Sequence, residues 1–181
     1  MATHFFHSLV VVAIMLCTEV AKGESGLAPG NAVPPLKVNA VAGVSLGDDK
    51  DFAAERKEAP TIYVFVQAER FDRPVGRFLK VLDQKLAAVR PDVQVVAVWL
   101  TDDVEKSKQY LPVAQQSLKL EATVWSVYPG EKSGPANWNI DIAANVTVVV
   151  ASQGKAIKSF EYGSINDTVV REVLQPLPPK K

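Results

Sequence analysis

The sequence predicts an α/β domain: a central mixed sheet formed by a βαβ unit and then a ββα unit, with helices on both faces and an N-terminal hairpin extension. Three observations carry this reading. Thr61–Val66 and Val93–Leu100 are near-continuous apolar, β-branched runs of strand length, the pattern of strands covered on both faces. Between them Val75, Phe78, Leu79, Leu82, Leu86 and Val89 recur at helical spacing and make one apolar stripe. Further on, Val146–Val150 and Ala156–Tyr162 flank Ser152-Gln153-Gly154-Lys155, a hairpin turn.

The elements follow in chain order. Met1 to Gly23 has a short n-region with His4 and His7, an apolar core from Leu9 to Cys17, and Ala21-Lys22-Gly23 with small residues at −3 and −1 of a cleavage point. Residues 1–23 are therefore expected to be a cleaved secretory signal; the alternative is an uncleaved anchor, since the n-region lacks Lys and Arg. Residues 24–35, rich in Gly and Pro, are expected to be a linker. Leu36–Val41 alternates as a half-buried strand, and Val41–Leu46, turning at Gly43, completes a small N-terminal hairpin or extended pair. The charged stretch Asp48–Glu58 reads as a short helix or loop ended by Pro60.

In the helix that follows, Arg77, Lys80, Asp83 and Gln84 lie off the apolar stripe and read as a solvated face. Strand, helix and strand within about 40 residues make a right-handed βαβ unit with parallel strands. Thr101-Asp102-Asp103 is expected to cap a second helix from Val104 to Ser117, with Tyr110, Leu111 and Ala114 inward and a kink at Pro112. Leu120–Val127 reads as a third strand, Tyr128–Asn137 as a loop, and Asn166 or Asp167 as the start of a last helix. The domain is thus expected to span 36–175, with 176–181 a disordered tail.

Composition removes several kinds of chemistry. The 181-residue chain has 20 Lys+Arg against 20 Asp+Glu and net charge +0, so no global field draws it to nucleic acid or an anionic membrane. Its only Cys, His and Met residues are Cys17, His4, His7, Met1 and Met15, all inside the expected signal. A mature chain has no thiol nucleophile, no imidazole base and no Cys/His metal site. No cofactor and no metal site are expected.

The order of elements resembles the thioredoxin-like fold. Over residues 30–175 it is similar to the redoxin and thiol-specific-antioxidant branch, which includes exported thioredoxin-like reductases. Pro34-Pro35-Leu36-Lys37-Val38 through Gly43-Val44-Ser45-Leu46 resembles the opening of that branch, and Ser152-Gln153-Gly154-Lys155 resembles its Asp-x-x-Gly-Lys hairpin. The resemblance implies a Trp-Cys-x-x-Cys loop after the first central strand and a cis-proline before a later one. This chain has Glu69-Arg70-Phe71-Asp72-Arg73-Pro74 at the first place and Val146 at the second. A non-proline cis bond costs roughly 3 kcal/mol, so Val146 is expected trans. With both halves of the redox site replaced, thiol-disulfide exchange and cysteine peroxidase activity are not expected.

The degenerate loop is the candidate binding site: Arg70, Phe71, Asp72, Arg73 and Val146. Asp72 is the expected N-cap of the central helix, flanked by two arginines that can neutralise it or form an anion site. Trp125, Tyr128 and Trp138 bracket the Pro/Gly loop and make an aromatic patch if they gather beside Phe71. Asp102, Asp103 and Glu105 are accounted for by helix capping rather than a hard metal. The leading functional reading is an exported thioredoxin-like domain without redox cysteines, in the periplasm, cell envelope or medium, acting as a non-catalytic binding or assembly module. Its expected partner is a protein or peptide, not nucleic acid, and a membrane only if the N-terminal segment is uncleaved. The alternative is a thiol-independent enzyme using carboxylate and arginine chemistry at Glu69–Pro74.

Overall fold

The computed structural model describes residues 25–180. The expected signal at 1–23, with its Cys, His and Met residues, lies outside them. Seven strands form one mixed sheet: β1 (Lys37–Ala42), β2 (Gly47–Asp51), β3 (Thr61–Gln67), β4 (Gln94–Leu100), β5 (Thr123–Val127), β6 (Val146–Ser152) and β7 (Lys155–Tyr162). Their spatial order is β2-β1-β5-β4-β3-β6-β7, with β3/β4 and β4/β5 parallel and the other pairs antiparallel. Four helices join them: α1 (Phe52–Glu55), α2 (Arg73–Val89), α3 (Val104–Leu118) and α4 (Val170–Leu174). Among the described residues no helix is long and apolar enough to cross a membrane.

Side-chain alternation along β3 divides the core. Ile62, Val64 and Val66 pack with Val75, Phe78, Leu79 and Leu82 of α2, Leu111 of α3, and Val170 and Val173 of α4. Tyr63 and Phe65 face the opposite way, onto Leu36, Val38, Phe52 of α1 and Trp138. α2 and α3 share one face because β3→β4→β5 steps in one direction across the sheet and right-handed crossovers return on the same side, and α4, after β7, packs onto that face as well. The second face is closed by α1 and by chain without long helices.

That closing chain includes the segment expected to be a linker. Residues 25–35 instead run along the outer edge of β7: Gly30 N–H donates to Ala156 C=O (2.8 Å), Ala156 N–H to Asn31 C=O (2.9 Å) and Val33 N–H to Gly154 C=O (2.9 Å). This covers an edge that would otherwise present unpaired backbone groups. Ser25 is buried, its Oγ 2.8 Å from Thr147 Oγ1 and accepting from Asp141 N–H at 3.0 Å. Gly26 holds φ +93°, and a Cβ there would stand 2.6 Å from Ser159 Cβ, so only glycine lets the strap lie this close. At the other terminus, where a disordered tail is expected, Leu177 packs against the first core and Arg90 Nη1 donates to Pro178 C=O (2.7 Å).

Two further expectations are corrected. The second strand of the hairpin is the charged Gly47–Asp51, not Val41–Leu46, because β2 is an edge strand whose side chains are mostly solvated. Asp83 is not on a solvated face. It is buried, accepting from Glu121 N–H (2.8 Å), Ala122 N–H (2.8 Å) and Thr123 Oγ1 (2.7 Å). The hydrogen bonds offset the desolvation that burying a carboxyl group entails. They also fix α2 to the turn between α3 and β5.

Replacing Asp83 by Ala leaves two N–H groups and a hydroxyl without their acceptor and should destabilise the fold by about 3 kcal/mol. The exposed neighbour Gln84→Ala should change stability by less than about 0.5 kcal/mol. Urea unfolding midpoints of the two variants check the contrast.

Candidate functional site

Every side chain of β3 is buried, and at its C-terminal end the chain leaves the sheet at Gln67. A single 3₁₀ turn, Ala68–Arg70, then leads through Phe71 to Asp72. Asp72 caps α2 as expected: its Oδ1 accepts from Val75 N–H at 3.0 Å, with Pro74 in the first turn, where its missing N–H is no loss.

Arg70 does not neutralise Asp72. Its Nη1 reaches across to Ala143 C=O and to Asn145 Oδ1 (3.3 Å), tying the loop to the segment ahead of β6. Gln67 N–H donates to Asn145 C=O at 3.2 Å and strengthens the same tie. Val146 begins β6, buried beside Val66 and Tyr162, and the described peptide bonds are trans. It is core and does not reach the loop surface. The loop residues that remain together at the surface are Phe71, Asp72 and Arg73.

The proposed aromatic trio is split by the sheet. Trp125 lies on the helix-bearing face, whereas Trp138 is fully buried on the other, 4.9 Å from the Tyr63 ring and 5.0 Å from Phe65, with Tyr128 packed against the same side. Phe71 has different companions. Its ring centroid is 5.0 Å from Trp99, 6.1 Å from Trp125 and 6.5 Å from Tyr110. Trp99 contacts both Tyr110 (5.9 Å) and Trp125 (5.6 Å), closing a four-ring cluster. The parity of β4 was the signal for Trp99, since Val95, Ala97 and Trp99 share the α2 side. Tyr110, expected inward with Leu111 and Ala114, is 45% exposed and offers only one edge to the cluster.

Over this cluster α2 and α3 leave a groove of about 600 Å³, with Phe71 and Gly76 toward its floor, Arg73, Arg77 and Lys80 from α2, and Tyr110 and Val113 from α3. Asp72 also borders it. Among the described residues no carboxylate lies within ion-pairing distance of Arg73, Arg77 or Lys80. On the other side of Tyr110, Lys132 bridges Asp102 (2.7 Å) and Glu69 (3.1 Å), which hold its ammonium above the usual lysine range. Asp103 caps α3 by accepting from Lys106 N–H at 3.0 Å, and Glu105 pairs with Lys108. These three acidic residues are thus used separately, and among the described residues no acidic, His or Cys cluster fit for a metal occurs.

The sheet order and helix placement define a thioredoxin-like fold in which β3 passes into α2 through a capped arginine- and phenylalanine-bearing turn. Solved structures agree on the fold. A Chlorobium tepidum protein assigned as a thiol:disulfide interchange protein DsbE superposes with a TM-score of 0.60 at 16% identity, over 83% of this chain and 95% of its own. BsSco, of the Sco family of cytochrome c oxidase assembly proteins, gives 0.56 at 17% identity over 84% and 98%. A peroxiredoxin-like protein from Aquifex aeolicus gives 0.56 at 12% identity over 84% and 89%. No protein-family profile and no curated relative matches the sequence.

If Asp72 serves as a helix cap, Asp72→Ala should cost about 1 kcal/mol and Asp72→Asn or Asp72→Ser only a few tenths. Urea midpoints of the three variants check it. A loss in Asp72→Asn as large as in Asp72→Ala would show that the charge, not the cap, is what the site uses.

Proposed function

We propose that the protein is an exported, non-redox thioredoxin-like domain that binds another protein through the surface where related folds carry their dithiol. The supporting observation is the open groove beside the Phe71–Arg73 turn, at the end of α2 where the resemblance implies a dithiol, lined by recognition groups and no thiol. Arg73, Arg77, Lys80, Tyr110 and Val113 supply charge and apolar contact, with no thiol or imidazole among the lining residues. Asp72, the one carboxyl group of the groove, is engaged as a helix cap. Its structural neighbours include a DsbE-type interchange protein and a member of the Sco family of cytochrome c oxidase assembly proteins, and the latter supports an assembly role. Export rests on the signal pattern of residues 1–23.

The purified protein should neither reduce insulin disulfides nor consume peroxide above the blank rate. A photo-crosslinking amino acid at Tyr110 should yield discrete adducts in an envelope fraction, and the same group at Lys57, at the opposite end of the sheet beside the β6–β7 turn, should yield none. Redox turnover, or identical adduct patterns from both positions, would overturn the reading.

A further inference from the structure

We infer that the α2–α3 groove recognises an acidic protein segment anchored by aromatic or aliphatic side chains; this rests on the binding-module reading above. Charge supplies the first argument. Arg73, Arg77 and Lys80 are spaced i, i+4, i+7, so at about 100° per residue they fall in a wedge of about 60° and extend about 10 Å along α2. A cation in the first turn of a helix opposes the macrodipole, which favours anions there, and the first turn of α2 contains no acidic residue. Elsewhere several surface cations are paired: Lys37 with Asp49, Lys50 with Glu55, Arg90 with Asp92, Lys108 with Glu105, and Lys132 with Glu69 and Asp102. The groove rim keeps three cations without a carboxylate partner, on a chain whose net charge is +0.

Shape and apolarity supply the second. Tyr110 is 45% and Val113 63% exposed, and they stand one turn apart on the wall opposite the cations. On α2, buried Gly76 sits beside Phe71 and Leu118. A Cβ at Gly76 would meet Phe71 Cζ at 3.6 Å and Leu118 Cδ2 at 3.7 Å, ordinary contacts, so packing does not demand glycine there. Alanine would fit and would favour the helix. What glycine provides is a groove floor between Phe71 and Leu118 that is one methyl group lower than alanine would leave it. A cationic wall facing an apolar wall across a cleft suits carboxylates alternating with apolar anchors. A bilayer surface or a duplex backbone presents charge but cannot insert such anchors into a cleft between two helices.

The test uses fluorescence anisotropy with three labelled peptides of equal length: one of Glu interleaved with Phe and Leu, one of Glu interleaved with Ser and Gly, and one of Lys interleaved with Phe and Leu. The first should bind about tenfold or more tightly than the other two, and more weakly as salt rises. Arg77→Glu/Lys80→Glu should weaken it about tenfold, while the charge change Lys57→Glu elsewhere leaves it unaltered. Gly76→Ala should raise the urea midpoint yet weaken the peptide, a combination that a purely structural role for Gly76 does not produce. Equal affinity for the Glu/Ser/Gly peptide, no effect of the charge reversal, or tighter binding to anionic vesicles or duplex DNA would overturn the inference. So would a concentration-dependent dimer that Val113→Glu dissociates, since the groove would then be filled by a second copy. If Tyr110 crosslinks persist while no acidic peptide binds, the binding module stands and its acidic preference falls; redox turnover removes the module itself.

Discussion

Three hydrogen bonds to one buried carboxyl group hold the geometry on which the candidate site depends. Asp83 lies halfway along α2 and receives the backbone of Glu121 and Ala122 and the hydroxyl of Thr123. The same short stretch is gripped from its other sides. Val95 N–H donates to Ala122 C=O (3.0 Å), Gln115 Nε2 to Leu120 C=O (2.7 Å), and Gly43 approaches so closely that a Cβ would stand 2.5 Å from Thr123 C=O. α2, α3, β1, β4 and β5 therefore meet at residues 120–123. A polar anchor suits this task because hydrogen bonds fix direction, whereas apolar packing alone permits a helix to slide. With the turn after α3 fixed to the middle of α2, the spacing between the two helices, and hence the width of the groove, is set from its closed end.

The other end of α2 is organised by a different economy of contacts. Asp72 satisfies the first turn, Arg70 is drawn away to Ala143 and Asn145, and Phe71 turns inward over Trp99 and Trp125. The turn is consequently well determined without any reactive group. A helix N-terminus lowers a nearby thiol's pKa through its dipole and free N–H groups. The field persists here, with no thiol among the described residues to use it and with Arg73 adding to it.

How far the sequence disclosed this arrangement varied with the kind of signal each residue carries. β3, β4, β6 and α2 were legible because their apolar periods are long and unbroken, and Asp72 because a carboxylate directly before Arg-Pro and an apolar stripe has one obvious local use. β2 was not, since an exposed edge strand composed of Gly-Asp-Asp-Lys-Asp buries little and shows no apolar alternation. Residues 25–35 have the composition of a linker, and only the unpaired edge of β7 gives them a place to pair. Asp83 sits at the border of the helical stripe, where pattern alone favours solvent; its donors are 38 to 40 residues away in the chain. The division of Trp125 from Trp138 is likewise tertiary, because strand parity places the first while a 3₁₀ turn outside any strand delivers the second.

These legible and hidden parts bear on function together. The sequence exhibits the arginines around Phe71 but not their separation, and the structure assigns them different work: Arg70 to holding the loop, Arg73 to the groove rim with Arg77 and Lys80. A surface kept only for solubility has no reason to place cations at the positive end of a helix while leaving nearby carboxylates to pair elsewhere, as Glu69 and Asp102 do with Lys132. Bringing Glu69 toward Arg73 would have relieved the repulsion within one turn of chain. Lys132 instead draws that carboxylate to the opposite side of Tyr110, so the groove's positive character is preserved by the same ion-pair network that fastens the neighbouring loop. The unneutralised charge is thus a consequence of how the loop between β3 and α2 is tied down, and it faces a cleft where an incoming acidic chain also finds apolar contact.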